Sequence, residues 1–364
     1  RDSIYGAAHK ALIALKKVNE TFAPSFIALI DACAPAIAGD DLDAVVRKAG
    51  EEGVNSKLLY FSGAGFHKNM WMGYESALAS LADFMDTRTE KKTRKKEANA
   101  SSVNLIGFKG DGFKSVADLN EIKRLLHGAG VEVSAVLTAD EFKRIEEAPK
   151  ASLNLVLGGD GIKLAKSMYE RFGTPYIVVD YPYGVSVTES LLERVCEELG
   201  KQVNEEFLSR ERARVKESIE KVQFYLHGFY GLSCAVIGDT CNGISLAKFL
   251  SSELGFDVKV LAVTNKNFVC EERLKEISGL VQEVMVEPDR FEMEQRISDA
   301  GVQMLFGSTF DKRLANVAKV PLVRFSYPIV DNVSLIDAPY AGFRGVSTLL
   351  ESIVNSLVSN YYEV

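Results

Sequence analysis

Short apolar segments that each end at or near a glycine recur along the chain, and this repeat most constrains the fold. The segments are Leu58–Ser62, Val103–Ile106, Leu153–Leu157, Cys234–Ile237 and Gln303–Phe306. Each precedes a stretch with apolar residues at helical spacing, for example Leu246, Leu250 and Leu254. Strands that alternate with helices form right-handed βαβ crossovers and parallel sheets. We therefore predict an α/β protein of Rossmann-like units, with parallel sheets flanked by helices.

Two features divide the chain, whose 364 residues exceed one ordinary core. Residues 88–97 contain no apolar side chain and read as a solvated linker, and a long amphipathic helix is predicted from about 204 to 227. We predict a first α/β domain over 1–97, a second over 98–203, and a third over 204–325 that includes the long helix. The C-terminal helix, within 326–364, is expected to pack back on the first domain.

Cys33 occupies a position where α/β proteins place ligands. Phe26–Ile30 is an unbroken apolar run, as expected of a strand buried on both faces. Gly39, Asp40 and Asp41 then open a helix, where an aspartate supplies the capping oxygen. Cys33 should therefore lie just past the carboxyl end of a parallel strand. A thiolate there can hold a metal centre.

Composition excludes several classes of protein. The net charge of −7 argues against a nucleic-acid-binding surface. Five cysteines without a C-x-x-C pair are typical of free intracellular thiols rather than a disulfide framework. No stretch approaches the length of a membrane span and no signal peptide is visible, so we expect a cytoplasmic protein without a membrane partner.

The other candidate sites have simpler explanations. The glycine-rich turns lack the P-loop spacing and are interpreted as tight strand-to-helix connections. The four histidines are scattered, which disfavours a zinc site. Cys196 and Cys234 lie in apolar patterns and are interpreted as core residues. Cys241, at a strand-to-helix junction, is also interpreted as a packing residue, with a ligand role as the alternative.

A series of short motifs runs through nearly the whole chain. They are Ile4–Gly6, Pro24–Asp43, Gly65–Phe66, Gly73–Glu75, Asn104–Gly107, Phe172–Pro175, Tyr183–Gly184, Tyr225–Gly228, Phe306–Thr309, Pro321–Arg324 and Tyr340–Gly345. In this order they resemble the nitrogenase component 1 family, whose fold is three α/β domains with parallel sheets.

The resemblance implies an iron–sulfur cluster, of 8Fe-7S or 4Fe-4S type, shared with a partner chain. Cys33 matches one cysteine ligand of that cluster, and two further ligands would belong to a segment preceding Arg1. Asn69 stands where β-type chains of the molybdenum enzyme carry a serine beside the cluster. We therefore expect Cys33 to bind the metal and Asn69 to lie next to the cofactor.

The resemblance also implies the type of subunit. In that family α-type chains hold the catalytic cofactor by a cysteine that would fall within 158–163 and a histidine that would fall within 327–345. This chain has neither residue in those segments. It therefore resembles a β-type subunit, inactive alone, that relays electrons from an ATP-hydrolysing iron protein to an α-type partner. That partner is expected on the surface around Cys33 and residues 64–75, where Phe66, Met70 and Trp71 cluster.

Two other functions remain open within the same family. One is a scaffold subunit on which a metal cofactor is assembled before transfer. The other is a homodimeric enzyme that reduces a tetrapyrrole and lines its own substrate pocket. A scaffold subunit would need the same bridging cluster as a nitrogenase subunit, so the sequence does not separate the scaffold from the electron-relaying subunit.

Overall fold

The computed structural model describes residues 6–65, 69–85, 99–226 and 230–362. The predictions for Phe66, for Ile4–Tyr5 and for the basic run within 88–97 lie outside the described residues. The chain divides into two compact units. Unit 1 comprises 1–97, 140–150 and 163–174, and unit 2 comprises 98–139, 151–162 and 175–364.

Unit 1 begins with a small α/β layer. Its elements in chain order are α1 (Ala8–Phe22), β1 (Phe26–Ile30), α2 (Cys33–Ala38), α3 (Leu42–Glu51), β2 (Lys57–Phe61) and α4 (Met70–Ser80). A 3₁₀ turn, Leu81–Phe84, follows α4, and the later segments of the unit carry α6 (Phe142–Glu147) and most of α7 (Ile162–Phe172).

The sheet of unit 1 is a parallel pair in which Phe26 lies opposite Lys57 and Ile30 opposite Phe61. Helices α1 and α3 pack on each other around buried Leu15, Leu42 and Val45, and Ile27 and Leu29 of β1 pack against this core. The prediction that β1 is buried on both faces was wrong, since Ala28 and Ile30 are exposed. The apolar core of this layer lies against one face of a two-stranded sheet, and on the other face Phe26 packs on Phe84 and Phe142 while Ala28 and Ile30 stay exposed.

Unit 2 carries two larger sheets. Its elements are β3 (Asn99–Ile106), α5 (Ser115–Gly128), β4 (Glu132–Leu137), β5 (Ala151–Leu157), β6 (Tyr176–Val179), α8 (Gly184–Glu198), α9 (Glu205–Leu226), β7 (Ser233–Gly238), α10 (Thr240–Ser252), β8 (Asp257–Val263), α11 (Cys270–Glu276), β9 (Val281–Val286), α12 (Arg290–Asp299), β10 (Met304–Gly307), α13 (Lys312–Ala318), β11 (Leu322–Arg324) and α14 (Gly342–Tyr362). The predicted strands and the long helix, which forms as α9, are confirmed.

Both sheets of unit 2 are parallel throughout. One has the order β4-β3-β5-β6 and the other β11-β10-β7-β8-β9. A single apolar core joins them, with Leu155 of one sheet and Phe306 of the other fully buried in it. The predicted fold class, parallel α/β sheets flanked by helices, is therefore confirmed.

The C-terminal helix α14 belongs to unit 2, where it packs on α5, α8, α9 and β11. Its expected packing on the first domain stays a prediction. Its apolar stripe, which includes Val346, Leu349 and Ile353, is buried because those helices offer an extended apolar surface. The three-domain division at 97 and 203 stays a prediction. Among the residues described, no helix is long and apolar enough to cross a membrane.

Candidate functional site

Cys33 is the first residue of α2 and follows β1 directly, at the carboxyl edge of the small sheet. It is exposed, whereas Cys196, Cys234, Cys241 and Cys270 are buried. The predicted helix start after it is also present, since Asp41 caps α3 by accepting a hydrogen bond from the Ala44 amide at 2.9 Å. Cys33 is thus the accessible thiol among the cysteines, at the position that the sequence indicated.

Asp31 fixes the backbone beside Cys33. Its buried carboxylate accepts hydrogen bonds from Tyr60 Oη at 2.9 Å, Ser62 Oγ at 3.0 Å and the Gly63 amide at 2.6 Å. Burial and the neighbouring Asp31 raise the pKa of Tyr60, so the phenol stays a donor. These bonds tie the end of β1 to the end of β2, and Cys33 therefore starts from an anchored strand end.

Cys33 cannot complete a metal site with the other described residues of this edge. Within the described ranges, no group of three or more His, Cys, Asp or Glu side chains is arranged to hold a metal ion. Iron in iron–sulfur clusters is held by several soft anionic sulfurs. Cys33 can supply one such thiolate from the surface, and the remaining ligands have to come from other segments or another chain.

Asn69 has a structural role in the helix that follows β2. Its side-chain oxygen caps α4 by accepting a hydrogen bond from the Met72 amide at 2.9 Å. The expected place of Asn69 beside a cofactor stays a prediction.

Exposed apolar side chains accompany Cys33 at this part of unit 1. Ile37, one helical turn after Cys33, is 74% exposed, and Ile30, at the end of β1, is 56% exposed. Met70 and Met72, at the start of α4, are 59% and 42% exposed. We call Ile30, Cys33, Ile37, Met70 and Met72 the Cys33 edge. Because both strands are parallel, their carboxyl ends bring these segments to one edge of the sheet.

Unit 2 contains a buried polar cluster that the sequence did not predict. Lys109, just after β3, lies 2.7 Å from Asp160, which follows β5, and 2.7 Å from Asp239, which follows β7. Burial alone would lower the pKa of Lys109, but the carboxylates of Asp239 and Asp160 raise it well above its usual value. Lys109 in turn holds the pKa of Asp239 below its usual value against the effect of burial. The cluster is an ion-paired triad that joins two sheets.

Two further side chains, Asn267 and Cys241, pack around this triad. Asn267 donates hydrogen bonds to Asp160 Oδ1 at 2.9 Å and to the Gly158 carbonyl at 2.7 Å. Cys241 is buried and packs so closely on Gly158 that any side chain at the glycine would clash with its Sγ. Burial and the nearby carboxylates of Asp160 and Asp239 raise the pKa of Cys241, so it stays a neutral thiol. Its interpretation as a packing residue agrees with this environment.

A tyrosine-lined carboxyl group lies beside the triad. Asp118 accepts hydrogen bonds from Tyr181 Oη at 2.7 Å and from the amides of Tyr340 and Ala341 at 2.6 and 2.9 Å. Burial raises the pKa of Asp118 to about 6 despite these three donors. The cavity that Lys109, Asp118 and Tyr181 help to line is only about 40 Å³.

Asp118 should give the protein a measurable pH dependence. Its pKa is raised on folding from 3.8 to about 6, so its contribution to the free energy of unfolding is largest below pH 4 and falls as pH rises to 6. Over this pH range the free energy of unfolding should decrease by about 3 kcal/mol. Asp118→Asn removes this titration, and urea unfolding of both proteins between pH 4 and 7 measures the difference.

Tyr181→Phe is the matched variant for this prediction. It removes a hydrogen bond that favours the ionised Asp118 carboxylate, so the pKa of Asp118 should rise further and the loss of stability should extend to higher pH. A constant stability difference between wild type and Asp118→Asn across this pH range would contradict the assignment.

Known proteins with similar sequences cover nearly the whole chain. The β chain of the nitrogenase molybdenum–iron protein of Clostridium pasteurianum is 26% identical over 98% of this chain and 80% of its own. The nitrogenase iron-molybdenum cofactor biosynthesis protein NifE of the same organism is 28% identical over 86% and 67%. A light-independent protochlorophyllide reductase subunit of Trichormus variabilis is 25% identical over 96% and 70%.

A solved structure and a family model agree with these relatives. The structure described as nitrogenase Cp1 at pH 6.5 superposes with a TM-score of 0.83 and 23% identity, covering 99% of this chain and 81% of that one. This likeness shows the fold. The family model for nitrogenase component 1 type oxidoreductases matches residues 1–358. As its motifs predicted, the chain belongs to the nitrogenase component 1 type oxidoreductase family.

Proposed function

We propose that this chain is the β-type subunit of a nitrogenase or nitrogenase-like reductase and relays electrons through an interface iron–sulfur cluster. The observation that carries the proposal is the Cys33 edge, where an exposed thiol stands among exposed apolar side chains. One thiolate is an incomplete ligand set, and exposed apolar surface beside it favours association with another chain. We take that chain to be an α-type component 1 subunit, in a cytoplasmic heterotetramer.

In this function the residues of this chain would hold the iron–sulfur cluster and shield it from water. Cys33 would hold the cluster as a thiolate, with Asn69 nearby, and the Asp31 hydrogen bonds would keep the Cys33 backbone in place. Burial of the Cys33 edge against the partner would exclude water and strengthen the local electrostatics. When bound, the cluster supplies one-electron transfer at low potential. The electrons would come from an ATP-hydrolysing iron protein that docks over the cluster.

The interior of unit 2 supports placing substrate reduction on the partner. The cavity beside the Lys109 triad has a volume of about 40 Å³, which holds a few water molecules. Lys109 forms direct ion pairs there with Asp160 and Asp239. A polyatomic metal cofactor would need this ion-paired packing to open.

Similarity to two relatives supports two alternative functions. The similarity to the cofactor biosynthesis protein favours a scaffold subunit that matures a metallocofactor for transfer. The similarity to the protochlorophyllide reductase subunit favours a tetrapyrrole reductase. Saturable binding of a porphyrin-type ligand to this chain alone would support the self-sufficient homodimeric reductase and overturn our assignment.

Reconstitution tests the proposed function. Substrate reduction should require three components together, namely this chain, its α-type partner and the ATP-dependent reductase. The chain alone with a chemical reductant should not turn over. If the anaerobically purified complex contains no iron, the cluster assignment fails. Transfer of a cofactor from the complex to another enzyme, without turnover of its own, would instead identify a scaffold.

Association should depend on the Cys33 edge. Ile37→Glu places a charge on a residue that is 74% exposed, so the free chain should remain folded while the paired interface is disrupted. We expect at least about tenfold weaker binding of the partner, since burying an unpaired charge costs several kcal/mol. Analytical ultracentrifugation of the co-purified chains measures it.

Phe291→Glu is the control for this prediction. It changes an equally exposed apolar residue, 77% exposed, in unit 2. A stable, cluster-loaded monomer of the wild type at micromolar concentration would rule out obligate pairing. If the wild type and Ile37→Glu bind the partner equally well, the interface does not include the Cys33 edge.

A further inference from the structure

A second, larger cavity in unit 2 is rich in hydrogen-bond donors. It has a volume of about 280 Å³ and lies at the carboxyl end of β6. Three cations line it, Arg194 of α8, Lys248 of α10 and Arg273 of α11. Asp180 and Glu276 are the carboxylates in the lining, so the cavity carries one positive charge in excess. No step of the proposed electron relay uses this site.

Arg273 is the most enclosed of the three cations, with 13% of its side chain exposed. Its Nη1 lies 3.2 Å from Asp180 Oδ1 and donates to Glu276 Oε1 at 3.0 Å. Its Nη2 makes one long hydrogen bond, 3.4 Å, to the Val178 carbonyl. Its Nε is buried and has no hydrogen-bond partner in the part of the chain that the structure describes. A buried donor without an acceptor is costly, so this guanidinium is suited to one more acceptor.

Lys248 and Arg194 are also incompletely paired. Lys248 Nζ lies 3.5 Å from Asp180 Oδ2 and 4.0 Å from Glu276 Oε2, both beyond the usual N–H···O distance. Arg194 Nη1 donates to the Val178 carbonyl at 2.8 Å. The three cations carry roughly thirteen N–H donors between them, and the hydrogen bonds and ion pairs named here use only some of these donors. The hydroxyl groups of Ser186 and Ser190 line the same space and can donate as well.

We propose that this cavity is a binding site for a small oxyanion, either inorganic phosphate or the phosphoryl group of a small ester. A tetrahedral oxyanion presents several acceptor oxygens to donors that converge from different elements, and guanidinium groups match its geometry. The cavity lies below the usual range for drug-sized ligands, which favours a small anion over a nucleotide. Asp180 and Glu276 orient Arg273 and Lys248 without neutralising all three cations.

Calorimetric titration of the full-length chain with inorganic phosphate, and separately with glycerol phosphate, tests the proposal and distinguishes the two sources. We expect saturable binding of one anion per chain. Lys248→Met should weaken binding about tenfold or more, as a lost charged hydrogen bond does. Lys221→Met, which changes an exposed lysine paired with Glu217 on α9, should leave it unchanged.

Ser190→Asp is a second test that leaves the ion pairs of Arg273 intact. It adds a carboxylate to the lining of the cavity on an exposed helical position, and binding should be lost while thermal unfolding is retained. Heats that do not saturate, or equal phosphate binding by Lys248→Met, Ser190→Asp and Lys221→Met, would overturn the site. Tighter binding of AMP than of phosphate would overturn the small-anion class.

Discussion

Cys33→Ala is expected to abolish or convert the iron–sulfur chromophore of the assembled complex and to stop electron transfer. Cys33 is the exposed thiol among the cysteines and offers a metal a soft anionic ligand at the sheet edge. Its side chain is outside the apolar core of unit 1, so the free energy of unfolding should change by no more than about 0.5 kcal/mol. Iron content, the visible absorption spectrum and reductase-dependent turnover measure the effect.

Cys196→Ala is the matched control. The Cys196 thiol is fully buried in the core of unit 2, and burial raises its pKa, so it stays protonated. This variant should lose about 1 kcal/mol of stability through the small cavity it leaves, yet keep its iron and its spectrum. If iron and spectrum persist unchanged in Cys33→Ala, Cys33 is not a ligand, even though the family assignment stands.

The fold could be predicted from the sequence because its signals are local. Runs such as Leu153–Leu157 are apolar apart from Asn154, as expected of strands buried on both faces, and the glycines after them mark strand-to-helix turns. Strands β4, β6, β8, β9 and β11 were not among the predicted segments. Polar residues interrupt the apolar pattern of β9, and β11 has only three residues. The packing of α14 on unit 2 depends on which helices expose apolar stripes, and that is a tertiary property.

The two sites differ in how far the sequence could reveal them. Cys33 could be placed because one short segment contains a strand, a thiol and a capped helix. The triad of Lys109, Asp160 and Asp239 could not, because its members follow different strands that are far apart in the chain. A signal did exist, since each of the three follows a predicted strand within a few residues, and carboxyl ends of parallel strands meet at one edge. The sequence does not show that the two sheets pack with these strand ends next to each other.

Lys109→Met is expected to produce the largest loss of stability of the substitutions considered. It leaves the carboxylate of Asp160, 2% exposed, and that of Asp239, 18% exposed, without their cation. Removing one partner of a buried ion pair costs about 3–5 kcal/mol, because an uncompensated charge remains. Denaturant unfolding at pH 7 measures this loss. Lys221→Met, which breaks an exposed pair with Glu217, should change stability by about 0.5 kcal/mol or less.

The pH dependence of Lys109→Met separates lost charge compensation from lost packing. In the wild type, Lys109 lowers the pKa of Asp239, so this carboxylate adds stability above its unfolded pKa that is lost on acidification. Without Lys109, burial is opposed only by the backbone hydrogen bonds to Asp239, so its pKa should rise and protonation on acidification should restore part of the variant's stability. Adding Asp160→Asn should recover part of the loss at pH 7, because one buried charge is removed. A deficit that stays constant with pH, and that Asp160→Asn does not reduce, would mean that Lys109 acts through its methylene packing and not through its charge.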